Sequence, residues 1–298
     1  MRLRLPKFLQ SARQTPAAAL ARFDEGLALH KAGNLPSAQR IYDTILAVAP
    51  DHFDTLRMRG LLALQETDFP AALRYLDAAT AINPNNAGVF SNRGMALQAL
   101  DRLDEALASY DRGIALEPDH PVGYFNRGVI LRHLKRPDAA IESYDTALSL
   151  HPDYAEAHHN RAVILEDLGR LDEAQASYAT VVAIQPESTE AHANLSNIFR
   201  KLGNFLQALQ HCDQAIAPRP DFPDTHAARG TILSELHRPD DALASYETAI
   251  SLKPDFAEAW SNRGNVLLAL NRPEDALASF GKAIAFRPDI AVVAVGRC

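Results

Sequence analysis

Five asparagines, Asn92, Asn126, Asn160, Asn194 and Asn262, share one spacing of 34 residues, interrupted only at Ala228. A carboxamide offers two N–H donors and an accepting oxygen, so one side chain can bond both the N–H and the C=O of an extended peptide. Repeated along a surface, such rungs would grip a peptide backbone whatever its sequence. Asp24 and Met58 hold the same slot earlier in the chain, and Asn197 and Asn265 follow a rung by three residues, on the same face of a helix. A solvated face without a ligand also needs polar residues, so both readings stand. The charges nearby have mixed sign. Arg132 and His133, then Arg200 and Lys201, flank Glu166 and Asp167, while Glu156, Glu190, Asp224 and Glu258 recur on the common spacing. That texture suits a polar, partly charged peptide, or simply a solvated surface.

Other reactive residue types lead nowhere. His158, His192 and His226 also stand one period apart. Helices pack roughly 8–10 Å apart, so three such imidazoles cannot converge on a metal whose bonds to nitrogen are about 2 Å long. No metal or other cofactor is expected. Cys212 and Cys298 lie too far apart in the repeat order for a disulfide, which needs Cα atoms within about 7 Å. There is no Gly-rich phosphate loop, no nucleophile elbow and no strand–helix alternation, and the repeats leave no room for a catalytic domain. The chain is expected not to be an enzyme.

The elements that must carry these residues come from one unit written about eight times, starting at Ala19, Phe53, Ala87, Pro121, Ala155, Thr189, Pro223 and Ala257. Counting within each copy, position twenty is Ala in all eight, from Ala38 to Ala276, and position thirty-two is Pro in all eight, from Pro50 to Pro288. Position eight is always small: Gly26, Gly60, Gly94, Gly128, Ala162, Ser196, Gly230 and Gly264. Apolar residues at helical spacing, such as Phe90, Gly94 and Leu97, make the first half a helix. Small residues at positions eight and twenty let it lie close against a second. Gly33-Asn34, Gly169 and Gly203-Asn204 suit a left-handed end to the first helix, and Pro137, Pro239 and Pro273 suit the start of the second. The Pro at position thirty-two stops it. Arginines at position seven (Arg59, Arg93, Arg127, Arg161, Arg229 and Arg263) are read as structural, with stems on apolar surface and heads in solvent.

This spacing resembles the tetratricopeptide repeat, a 34-residue helix–turn–helix. The resemblance covers 19–288 as eight repeats (19–52, 53–86, 87–120, 121–154, 155–188, 189–222, 223–256 and 257–288). It implies an all-α, right-handed α-solenoid, a superhelix of antiparallel helix pairs whose first helices line a concave groove. Position six lies among the groove positions, so the resemblance makes Asn92, Asn126, Asn160, Asn194, Asn197, Asn262, Asn265, Arg132, Arg200 and Lys201 the candidate peptide-binding residues. A protein or peptide ligand is the expected partner of such a scaffold. The slots that carry Lys and Arg in chaperone-binding members hold Glu, Ser or Ala, and Asn here, so an acidic chaperone tail is not expected. The asparagine ladder is similar to that of the repeat arm of O-linked N-acetylglucosamine transferases. The alternative reading is therefore a substrate-recognition arm without its catalytic domain.

Composition narrows the partner further. Thirty basic and 37 acidic residues give a formal charge of −7, which argues against a groove tracking phosphates and hence against nucleic acid, RNA-binding helical repeats included. No apolar run reaches the roughly 18 residues of a membrane span, and the first residues lack the apolar core of a secretory signal. A cytoplasmic setting is expected. Residues 1–18 are read as a lead-in or cap. Residues 289–298 are read as the start of a truncated ninth repeat, where Phe286, Ile290, Val292 and Val293 would leave an apolar end open to self-association.

Overall fold

The computed structural model describes residues 16–288, and among them every regular element is a helix. The lead-in before residue 16 and the residues from 289 onward, with Ile290, Val292, Val293 and Cys298, lie outside the described residues. The chain forms two compact units, Met1–Pro152 and Asp153–Cys298. The first unit contains α1 (Pro16–Leu20), α2 (Phe23–Lys31), α3 (Leu35–Val48), α4 (Phe53–Gln65), α5 (Phe69–Ile82), α6 (Ala87–Ala99), α7 (Leu103–Leu116), α8 (Pro121–His133) and α9 (Pro137–Leu150). The second contains α10 (Ala155–Asp167), α11 (Leu171–Ile184), α12 (Thr189–Lys201), α13 (Phe205–Ile216), α14 (Pro223–Glu235), α15 (Pro239–Leu252), α16 (Ala257–Ala269) and α17 (Pro273–Phe286). Each unit is an α-solenoid of antiparallel helix pairs. The two helices of a pair pack together, as α6 does with α7 and α14 with α15, and the second packs on the first helix of the next pair.

The turn inside each pair has one geometry. Position fifteen takes a positive φ in all eight copies, at Gly33, Thr67, Asp101, Lys135, Gly169, Gly203, His237 and Asn271. Each first helix ends in a bond from the N–H of position sixteen back to the C=O of position eleven, as in Asn34 to Leu29 (2.9 Å) and Arg136 to Leu131 (2.9 Å). This pattern satisfies carbonyls that a helix end otherwise leaves bare. Only three copies supply the glycine that such a residue favours. In the other five the closed turn holds a side chain in the left-handed region, which costs about 1–2 kcal/mol.

Within each pair the close approach is made at three positions. The eight alanines at position twenty are all wholly buried. The small residue at position eight lies under the side chain at position twenty-four. A Cβ placed on Gly94 would sit 2.7 Å from the Tyr110 ring, and one on Gly128 2.6 Å from the Tyr144 ring. Tyr42, Tyr110, Tyr144, Tyr178 and Tyr246 occupy position twenty-four, and all are buried. The ring therefore fills the space that the missing side chain leaves.

The position-seven arginines hold neighbouring pairs together, and their heads do not point into solvent as the sequence suggests. Arg127 donates from Nε to Asp111 of the preceding pair (2.7 Å) and from Nη1 to Ser143 of its own (2.7 Å). Arg93 joins Asp77 to Ser109, Arg229 joins Asp213 to Ser245, and Arg263 joins Glu247 to Ser279 in the same way. The serine is buried, and its hydroxyl donates to a helix carbonyl, as Ser143 does to Ala139 at 2.9 Å, so its oxygen is free to accept from the guanidinium. Copy six abandons all three partners together, with Leu195 for the arginine, Ala179 for the acid and His211 for the serine. There His211 stacks instead on Phe199 and His192. Arg127→Ala is expected to lower stability by about 1–2 kcal/mol, because a charge-assisted bond to a buried hydroxyl is lost along with a weaker exposed one. Chemical denaturation of double-mutant cycles checks this: the coupling of Arg127 to Ser143 should exceed its coupling to half-exposed Asp111.

Candidate functional site

Within each unit the first helices of successive pairs present positions six, nine, twelve and thirteen side by side, and clefts open along them among the described residues. In the first unit a cleft of ≈ 240 Å³ lies between α6, α7 and α8, with Asn92 and Asn126 on its wall beside Ser91, Met95, Glu117 and His120. In the second unit a cleft of ≈ 180 Å³ is lined by Asn197, Arg200, Phe222, Asp224 and Ala228, with Cys212 at its floor. Another, of ≈ 410 Å³, lies between α14, α15 and α16, where Asn262 and Asn265 meet Thr231, Glu235, Tyr246 and Val266. Ala228, which breaks the asparagine spacing, thus lines a cleft of its own.

The candidate residues divide into two sets. Asn92, Asn126, Asn160, Asn262 and Asn265 make no side-chain hydrogen bond to any described residue. Four of them are half-buried and Asn265 is exposed. Asn194, Asn197, Arg200 and Lys201 are already engaged. Asn194 donates from Nδ2 to His159 Nε2 at 3.2 Å. Asn197 donates to Glu166 Oε1 at 2.9 Å and accepts from Arg200 at 2.9 Å, while Lys201 Nζ meets the same Glu166 oxygen at 2.7 Å. The alternating charge on this stretch is therefore largely satisfied within the protein. Arg132 lies near Tyr144, where burial pushes the phenol up to about 12 and the charge of Arg132 opposes the rise.

Tyrosine hydroxyls at position twenty-four reach the floor of this face. Tyr178 donates to Glu166 Oε2 at 3.4 Å, and the Tyr246 hydroxyl lies 3.0 Å from Thr231 Oγ1. Those of Tyr110 and Tyr144 are buried without a partner among the described residues. The position-four rings serve the turns. His192 and His226 donate from Nε2, and Trp260 from Nε1, to the carbonyls of Pro186, Pro220 and Pro254 at 2.9, 2.8 and 2.9 Å. Among the described residues no group of His, Cys, Asp or Glu is placed to hold a metal, and no helix is long and apolar enough to cross a membrane. Cys212 is a free, buried thiol that donates to the Thr225 carbonyl at 3.4 Å, and burial pushes its pKa up to about 12.

Two models of the tetratricopeptide repeat match the chain, one over residues 23–87, 91–155 and 227–289, the other over 131–198 and 165–232. The chain belongs to the tetratricopeptide repeat family. No curated protein matches it. Among solved structures, a tetratricopeptide repeat protein from Parabacteroides merdae is similar at 21% identity, with a TM-score of 0.58 over 79% of this chain and 93% of that one. YrrB, described as a TPR protein with an unusual peptide-binding site, is similar at 22% identity and TM-score 0.55 over 60% of this chain and 93% of its own. MamA is similar at 24% identity and TM-score 0.53, over 55% and 96%. At these identities the likeness is one of fold. None of these matches supports the closer likeness to a glycosyltransferase arm.

Thr231, Glu235 and Tyr246 are cleft residues that the asparagine spacing does not reveal. Their signal was present in the copy positions: nine and thirteen share the first-helix face of position six, and the tyrosine at position twenty-four reaches the cleft from the second helix.

Proposed function

We propose that this tetratricopeptide repeat chain is a non-catalytic scaffold that holds an extended segment of a partner protein along the face made by the first helices within a unit. The observation that carries the reading is the set of carboxamides left without hydrogen-bond partners, with Asn92 and Asn126 on one cleft and Asn262 and Asn265 on another. A half-buried amide with unused donors and an unused acceptor is the group that an extended backbone can satisfy. YrrB, a protein of the same fold, is described as having a peptide-binding site, which agrees with this use of the architecture.

Selection of extended peptides from a random library against the whole chain tests the reading. Peptides recovered with the wild type should bind a triple variant, Asn92→Ala, Asn126→Ala and Asn262→Ala, at least about tenfold more weakly, since each rung contributes hydrogen bonds of about 1 kcal/mol. The circular-dichroism melt should remain that of the wild type. Equal binding to both proteins, or no peptide recovered at all, would reject the groove.

A further inference from the structure

In repeats five and six the face contains its own lysine. Lys201 Nζ lies 2.7 Å from Glu166 Oε1, and Asn197 Nδ2 donates to that same oxygen at 2.9 Å. The ammonium sits in a small polar site, with Arg200 bonded to the far side of the Asn197 amide at 2.9 Å.

Repeats seven and eight also bring an amide and a carboxylate together on this face without a lysine. Here the carboxylate stands one position later: Glu235 is at position thirteen, and Ser234 holds the slot of Glu166. Asn265 occupies position nine, as Asn197 does in its own copy. Position thirteen, held by Lys201 in repeat six, is Ala269 in repeat eight. The ≈ 410 Å³ cleft here is bounded by Ala269, Val266, Pro239 and Tyr246 on its apolar side and by Asn262, Asn265, Glu235 and His237 on its polar side. None of the residues lining it is Lys or Arg. Glu235 has no ion-pair partner among the described residues, nor has Glu258 on the same face. Tyr246 registers both charges: burial first, and then Glu258 and Glu235, raise its pKa against the hydrogen bonds of Thr231 and Ser234.

We infer that this cleft takes a lysine side chain of the bound peptide, with the ammonium on Glu235 and the amides of Asn262 and Asn265, and the stem along Val266 and Ala269. The inference rests on the groove reading above and narrows it. A four-carbon stem packs on apolar surface while its charged head seeks oxygen, which is how long basic side chains distribute themselves. The carboxylate gains a charge-assisted bond that the protein itself does not provide there.

The test uses nuclear magnetic resonance of the full chain titrated with two probes, acetyl-Ala-Ala-Lys-Ala-Ala-amide and its norleucine counterpart, which keeps the stem and removes the charge. The lysine probe should shift the Asn262 and Asn265 side-chain signals and bind about tenfold more tightly than the norleucine probe. Glu235→Gln should abolish that difference. Ala269→Lys should block the lysine probe by filling the cleft from within; position 269 is exposed and Lys201 already occupies the matching place in repeat six, so the variant should fold. If norleucine shifts the same signals with equal affinity, or the lysine preference survives Glu235→Gln, the inference is overturned and the groove reading stands. If neither probe moves the asparagine signals while library-selected peptides still bind, the inference fails alone. If nothing binds, both fail.

Discussion

Gly128→Leu is expected to lower the stability of the first unit by about 3 kcal/mol, the upper end of what overpacking a core usually costs. The first added atom already meets the Tyr144 ring, at 2.6 Å from one carbon and 2.9 Å from two others. The remaining atoms have no opening, because Ala140 at position twenty and Tyr144 are both wholly buried between the same two helices. The pair would have to spread. Gly128→Ala should have a much smaller effect. Repeat five carries Ala162 at this position opposite Tyr178, and both are buried there, so one methyl group can be accommodated by a shift of the ring. Alanine also favours the helix over glycine by about 1 kcal/mol, which offsets part of the strain. Guanidinium melts of the three proteins check the order wild type, alanine, leucine. A leucine variant as stable as the wild type would show that the helices do not meet at this point.

Raising the pH above 10 is expected to unfold the protein steeply. Tyr42, Tyr110, Tyr144, Tyr178 and Tyr246 are buried, and burial is the first cause raising each of their pKa values from the ordinary 10. Below pH 10 folded and unfolded chains both keep the phenolic protons, and the stabilisation is fully present. Between pH 10 and about 12, the folded value for Tyr144, the unfolded chain loses its proton while the folded chain keeps it. Stability therefore falls by about 1.4 kcal/mol per pH unit for each such tyrosine. Several act together, so helix signal should disappear before pH 12, with tyrosinate absorbance rising in the same step. Tyrosinate appearing near its ordinary pKa with the helices intact would contradict this. Tyr144→Phe should shift the transition to higher pH. It should also stabilise the neutral protein by about 1 kcal/mol, because the hydroxyl it removes is buried without a partner. Phe280 already holds that position in repeat eight.

Much of this protein was written in local chemistry. The recurrence of Ala at position twenty, Pro at position thirty-two and a small residue at position eight determined a stack of helix pairs, because each acts within one copy or on its neighbour. A closed turn, a stopped helix and a close contact need no information from elsewhere in the chain. The asparagines were equally legible, since identical spacing puts each at the same place on its own first helix.

What the sequence left open depended on which side chains meet across pairs. The arginines at position seven could have pointed anywhere along their flexible stems; packing decided that Arg127 joins Asp111 to Ser143. The concerted change at Leu195, Ala179 and His211 was visible in the letters, but nothing linked those three positions until the helices were packed. Likewise Asn194 and Asn262 are the same residue in the same slot, yet one is tied to His159 and the other faces an open cleft. Sequence determined where the amides stand. Only the tertiary structure decided which of them are already bonded, because that turns on neighbours brought in from the adjoining pair.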